Sequence, residues 1–229
     1  MSTATVLPDR LERFMQPEFK LRRGIGKGVN SHADICVMQA VAWLAGESNL
    51  TDAPDCACPV IRGYCVRIND SWLFDDNHRH LLKPFAPRIV GTKATTAIER
   101  ARAMLACDYA VRVFAPIRLR ALRREEWASR LESLSPITGR KSATLARIAL
   151  VAIQESAYAA AAAAADAYAA AVAAAAAYAA AAAAADADAY AAADAAAAAA
   201  ADADAVADAL RHKALECLDG MLAIQWAHP

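Results

Sequence analysis

Between Ser142 and Gly220 the chain has neither proline nor glycine, and alanine makes up most of that length. Alanine has the highest intrinsic helix propensity, and nothing in the segment interrupts a backbone hydrogen-bond ladder. The segment is therefore expected to be helical. Unbroken, about 75 residues rising ~1.5 Å each would form a rod roughly 110 Å long, so a fold-back near the DADAY or DADAV stretches is expected instead. The reason lies in the tail. ALRHKALECLDGMLAIQW, residues 209–226, returns to an ordinary apolar pattern that requires burial.

Inside the tract, YAAAAAAADA occurs at 158–167 and again at 178–187, with YAAAVAAAAA between the copies. At roughly 100° per residue, Tyr158, Tyr168, Tyr178 and Tyr190 fall near 0°, 280°, 200° and 320° and spread over nearly half of a helix surface. The aspartates scatter more widely. A ten-residue repeat fits neither a heptad nor an eleven-residue supercoil. The tract thus reads as a helix-compatible internal duplication, structural at most. Helices so poor in large side chains gain little from burial alone, and a homo-oligomer is expected for that reason.

The earlier residues also read as helical. Gly24, Gly26 and Gly28 in LRRGIGKGVN favour a loop, and a helix is expected to start at Ser31, with Asp34 completing a weak capping box. ICVMQAVAWLAG is apolar on most faces, which predicts a central helix ending at Gly46. Pro59 suits a first helical position, and Asn69-Asp70 supplies the break of a short helix containing Val60, Tyr64, Val66 and Ile68. Residues 95–114 read as one amphipathic helix, with Pro116 opening the next. Trp43, Trp72, Tyr64 and Phe74 are read as core. The expected fold is all-α: an N-terminal helical domain over 1–141, then an Ala-rich region over 142–229 packed as a hairpin or bundle with a C-terminal helix.

Charge excludes some functions. Residues 1–150 carry 23 Lys and Arg against 15 Asp and Glu, while residues 151–229 carry 2 against 10. Halves of opposite sign are expected to face one another, within a chain or between subunits, which argues against nucleic acid as the partner. Asp166, Asp186, Asp188 and Asp194 would be costly in a bilayer, so no membrane span is expected. The start MSTATVLPDRLERF lacks a basic segment followed by an apolar run, and a cytoplasmic location is expected.

Three constellations contain residue types suited to chemistry. In RRGIGKG, Arg22, Arg23 and Lys27 bring charge, Gly26 allows close backbone approach, and Ser31 would open a helix; together these suit a small anion. The spacing is not that of a Walker loop. Cys56 and Cys58 with His78 and His80 are four weak zinc-ligand candidates, but C-x-C wraps a metal less well than C-x-x-C, so neither a metal nor another cofactor is expected. Cys58, His78 and Asp76 are the residue types of a nucleophilic site without a pattern that marks an activated thiol. Asp75/Asp76 and Glu125/Glu126 read as surface charge. The chain is not expected to be an enzyme.

CVMQAVAWLAGE, TDAPDCACPVIRGYCVRIND and ACDYAVRVFAP, taken together, resemble a family of uncharacterised phage and prophage proteins, some ending in Ala/Tyr/Asp-rich tracts. The resemblance covers roughly residues 30–150. It implies an accessory protein acting in the cytoplasm of an infected bacterial host, and it carries over no catalytic residue. With the basic half and the glycine loop it leads to the expectation of a non-enzymatic protein that captures a small anionic ligand, such as a nucleotide messenger of host defence. The alternative is an inhibitor or scaffold that engages a host protein through the acidic helical region.

Overall fold

The computed structural model describes residues 4–26, 35–161 and 204–224. Every regular element among them is helical, and the β-type pairing they contain is an isolated parallel bridge between Leu21 and Ile35. The protein is all-α. In chain order the helices are α1 (Pro8–Met15), α2 (Val37–Leu44), α3 (Pro59–Asp70), α4 (Ala86–Ile89), α5 (Thr96–Tyr109), α6 (Ala115–Ala121), α7 (Glu125–Glu132), α8 (Arg140–Ala161) and α9 (Asp204–Ala223). Two 3₁₀ segments, Trp72–Phe74 and Arg79–Phe85, connect α3 to α4.

Helix α2 begins at Val37, not at Ser31 as the SHAD pattern predicts. Cys36 is its N-cap: its Sγ accepts from the Gln39 amide at 3.4 Å, and the Gln39 side chain accepts from the Cys36 amide at 3.1 Å. The Val37 amide donates to the Asn69 side chain of α3, so tertiary contact satisfies a donor that a free helix end would leave open. All eight residues of α2 are buried, as its continuous apolar run predicts. It ends at Gly46 with φ +79°, where the Gly46 amide reaches Trp43 O and the Glu47 amide reaches Ala42 O. Those two bonds close the helix end, and the left-handed residue between them favours glycine. Helix α3 starts on Pro59 and stops at Asp70, also as read.

The stretch predicted as one helix to Phe114 is α5 followed by a π-helical turn, Ala110–Phe114, that runs directly into α6. Pro116 has no amide to donate to the preceding turn, and the wider π turn accommodates that gap without a break. This rod carries two apolar stripes. Ala103, Ala106, Ala110 and Phe114 face a first core, built with α2, α3, α4 and α9. Met104, Cys107, Val111 and Ala115 face a second, built with α6, α7 and α8. One rod is therefore the common wall of both cores.

Helix α9 lies against the N-terminal helices, with Leu210, Ala214, Cys217, Leu218 and Met221 in the first core. Tyr64, fully buried, donates to Ala214 O at 3.1 Å. Arg211 donates through Nε to Leu73 O at 2.8 Å and pairs with Asp208. Helix α8 instead serves the second core through Ala143, Ala146, Leu150 and Ile153. The repeat, and with it the choice between rod and hairpin, lies outside the described residues beyond Ala161. Among the described residues no helix is long and apolar enough to cross a membrane.

Candidate functional site

Helix α1 ends in a segment that turns back along the 3₁₀ stretch after α3. Phe14, Phe19 and Trp43 pin this segment to the core: Phe14 meets Phe19 edge-on at 5.1 Å, and Phe19 stacks on Trp43 at 5.6 Å. Between the segment and the 3₁₀ stretch lies a cleft of about 550 Å³. Its basic side chains are Lys20, His80 and Lys83; Asp76 and Asn77 are its other polar side chains, and Met15, Pro17, Leu21 and Pro84 give it apolar walls. A volume of this size suits a small metabolite.

Lys83 joins the two walls. It is 8% exposed, and its Nζ donates to Gln16 O at 2.8 Å and to Phe19 O at 2.9 Å. Gln16 is the residue that caps α1, where a helix leaves carbonyl oxygens without partners and welcomes a cation. The ammonium also stands 5.4 Å from the Phe14 ring centre. Desolvation lowers its pKa below the usual lysine value, against the pull of Glu18. On the opposite wall Asp76 accepts from Arg79, whose Nε also donates to Asn69 O at 3.1 Å. The Asp76 charge is thereby partly matched, and Lys20 and Lys83 leave the cleft net cationic.

The sequence-predicted anion loop is only partly within the described residues; Lys27 and Ser31 lie outside them. Within the described part, Gly24 donates its amide to Asp70 at 2.8 Å and Gly26 donates to Gln39 at 2.7 Å. Gln39 also donates to Gly26 O and Leu50 O, and Asn69 donates to Arg22 O. Those two amides are thus spent on protein acceptors, one of them a carboxylate. Arg22 and Arg23 lie one and two residues past Leu21, a wall of the cleft, so their charge stands close to it in sequence.

The zinc-ligand candidates are spread apart in role. Cys58 is buried, Cys56 sits beside Glu47 and Gly91, His78 bonds Asp75 at 2.7 Å, and His80 lines the cleft. Among the described residues no group of three or more His, Cys, Asp and Glu is placed to hold a metal ion. Asp76 engages Arg79 while His78 engages Asp75, so the Cys58, His78, Asp76 set does not form a relay. Tyr64, Phe74 and Trp43 are core as expected, but Trp72 is 44% exposed. Sequence reasoning missed Lys20 and Lys83 as site residues, because no local spacing signals that residues 16–20 and 83 meet. Comparison with protein-family models, curated proteins and solved structures finds no match to this chain.

Proposed function

We propose that this is a non-enzymatic binding protein that holds a small anionic ligand in the cleft between residues 15–21 and 76–84. The observation that carries the reading is Lys83, a buried cation hydrogen-bonded to two peptide carbonyls and with Glu18 as a coulombic neighbour, which lines a metabolite-sized cleft beside Lys20 and His80. A buried charge favours a counter-charge, and an incoming anion would supply one. Apolar walls suit a ligand with an unsubstituted or aromatic body attached to the anionic group. The phage resemblance extends the reading to a phosphate-bearing nucleotide.

Native mass spectrometry of gently purified full-length protein, followed by denaturing release, tests this directly. A small anion released at fixed stoichiometry is the expected result. Calorimetric titration with AMP and with pyrophosphate then locates it. Lys20→Ala with His80→Ala should weaken binding about tenfold or more, the equivalent of ~1.4 kcal/mol. Arg23→Ala with Lys27→Ala should do so only if the glycine loop contributes. Absence of a released anion, together with no heat from either probe, would refute the reading.

A second reading, engagement of a protein partner, has one observation in its favour. Leu145 and Ile148 are 61% and 57% exposed and sit one turn apart on the outer side of α8. Deleting 158–187 separates this from a role for the repeat: retained partner binding would make the repeat passive.

A further inference from the structure

Helix α8 buries one side and leaves the other exposed among the described residues. Ala143, Ala146, Leu150 and Ile153 fill the second core. At roughly 100° per residue, the opposite side carries Lys141, Leu145, Ile148, Ala152 and Glu155, of which Ala152 is half-buried and the others are exposed. Their alternating steps of four and three residues are those of a coiled-coil seam, which keeps one stripe turned toward a neighbouring helix. The positions flanking the stripe are Ser142, Thr144, Ala149, Val151 and Ser156, all uncharged. Arg140 and Arg147 stand further round, about 100–120° from its middle. The stripe thus starts on a cation, ends on an anion and is apolar between them, so it complements its own reversed copy. We infer that α8 is a self-association surface, pairing antiparallel with α8 of a second copy of this chain. This gives the exposed pair of the protein-partner reading above its occupant, and it does not depend on the anion cleft.

Symmetry fixes the register. A two-fold axis between residues 146 and 147 sets Leu145 against Ile148 of the second copy, and Ile148 against its Leu145. Four large apolar side chains then meet at the centre. Lys141 lies beside Ala152 of the second copy, one turn from its Glu155, and a lysine side chain is long enough to cross that turn. Each end of the stripe can therefore close an ion pair. A parallel arrangement would set Lys141 on Lys141 and Glu155 on Glu155, with like charges facing at both ends. From Lys141 to Glu155 the stripe is about 21 Å long. Two such surfaces bury less than the ~1,600 Å² of a standard complex, so the expected dimer is reversible, with a dissociation constant of about 1–100 μM.

Sedimentation velocity on the full chain, from about 1 to about 500 μM, is the test. The mass should rise from one chain toward two with concentration. Ile148→Glu should raise the dissociation constant about tenfold or more, with helix content by circular dichroism unchanged because the position is exposed. Lys141→Glu should weaken the dimer about threefold or more, and Glu155→Lys added to the same chain should restore it, since reversal then sets opposite charges together again. A single-chain mass at every concentration would overturn the inference. An undiminished dimer in Ile148→Glu would do so by placing the contact elsewhere, and an undiminished one in Lys141→Glu by removing the antiparallel register. A dimer that forms only after deletion of 158–187 would make the chain's own repeat the occupant and overturn it as well. None of these outcomes bears on the released-anion measurement, so the two readings fail separately.

Discussion

Arg102 fastens the end of α9 to the common wall, and its removal gives a quantitative test of the fold. It is buried on α5 and donates through Nε to Met221 O at 3.1 Å, through one terminal nitrogen to Thr92 O at 2.7 Å, and through the other to Ile224 O at 2.9 Å. Arg102→Met keeps much of the volume and removes all three donors. A hydrogen bond from a charged group is worth about 1.5–3 kcal/mol net, and a buried acceptor left bare costs about 1–3 kcal/mol. Water can reach the half-buried end at Ile224, and methionine recovers roughly 1 kcal/mol of apolar burial. Counting about 2 kcal/mol for each of the bonds to Met221 and Thr92, nothing for the wetter one at Ile224, and subtracting the ~1 kcal/mol recovered, the expected loss is about 3 kcal/mol, a fall of roughly 150-fold in the folding constant. Urea unfolding should show a lower midpoint with an unchanged slope, and amide exchange at Leu218–Leu222 should accelerate beyond the global change. A loss under about 1 kcal/mol, with exchange in α9 unaltered, would refute the view that this guanidinium anchors the helix.

Other consequences are open to measurement. Arg123 has φ +57° at the end of α6, where its amide reaches Arg120 O and the Arg124 amide reaches Leu119 O, the geometry that Gly46 serves for α2. Arg123→Gly should stabilise by about 0.5–1 kcal/mol in chemical denaturation, since the left-handed conformation strains any residue with a Cβ. Gly91 has φ +75°, and a Cβ there would sit 2.9 Å from Ala4 O, so Gly91→Ala should cost about 2–3 kcal/mol on the same assay. Cys56 is the one described cysteine that is not buried, and desolvation pushes its thiol up to about 11, so a thiol reagent near neutral pH should label it first and slowly. Hydrogen bonding from Arg120 lowers the pKa of Glu132, and bonding from Lys213 and then Tyr109 lowers that of Glu216. Each contribution is present above the ordinary value of 4.5 and lost as pH falls through the depressed one. Melting curves should show the decline, shallow because these pairs face solvent, and Arg120→Gln should flatten it.

Local chemistry made much of the fold legible. Gly46, Pro59 and Asn69-Asp70 act within a turn of their own positions, so the ends of α2 and α3 could be read directly. The start of α2 could not. A cysteine sulfur is a weak acceptor, and it suffices as a cap here only because Gln39 answers it and Asn69 takes the next amide from another helix. The two stripes of α5 were blurred for a related reason: a helix buried on adjoining faces shows little contrast between them. The cleft was the least legible feature. Its defining contacts join Lys83 to Gln16 and Phe19 across 67 and 64 residues, and the aromatic ladder that orients those carbonyls exists only after α1 and α2 have docked.

The position of α9 has a consequence for synthesis and inheritance. Tyr64 waits for Ala214, 150 residues later, and Arg102 waits for Ile224. The first core therefore lacks its last wall until α9 has been translated, and any early stop or frameshift within the alanine tract yields a polypeptide that cannot close it. An in-frame gain or loss of a ten-residue unit is different. It leaves the core-forming residues of α8 and α9 unchanged. Length changes in the tract are thus sorted by reading frame: those that keep α9 in frame keep the residues that close the first core, and those that lose the frame remove them.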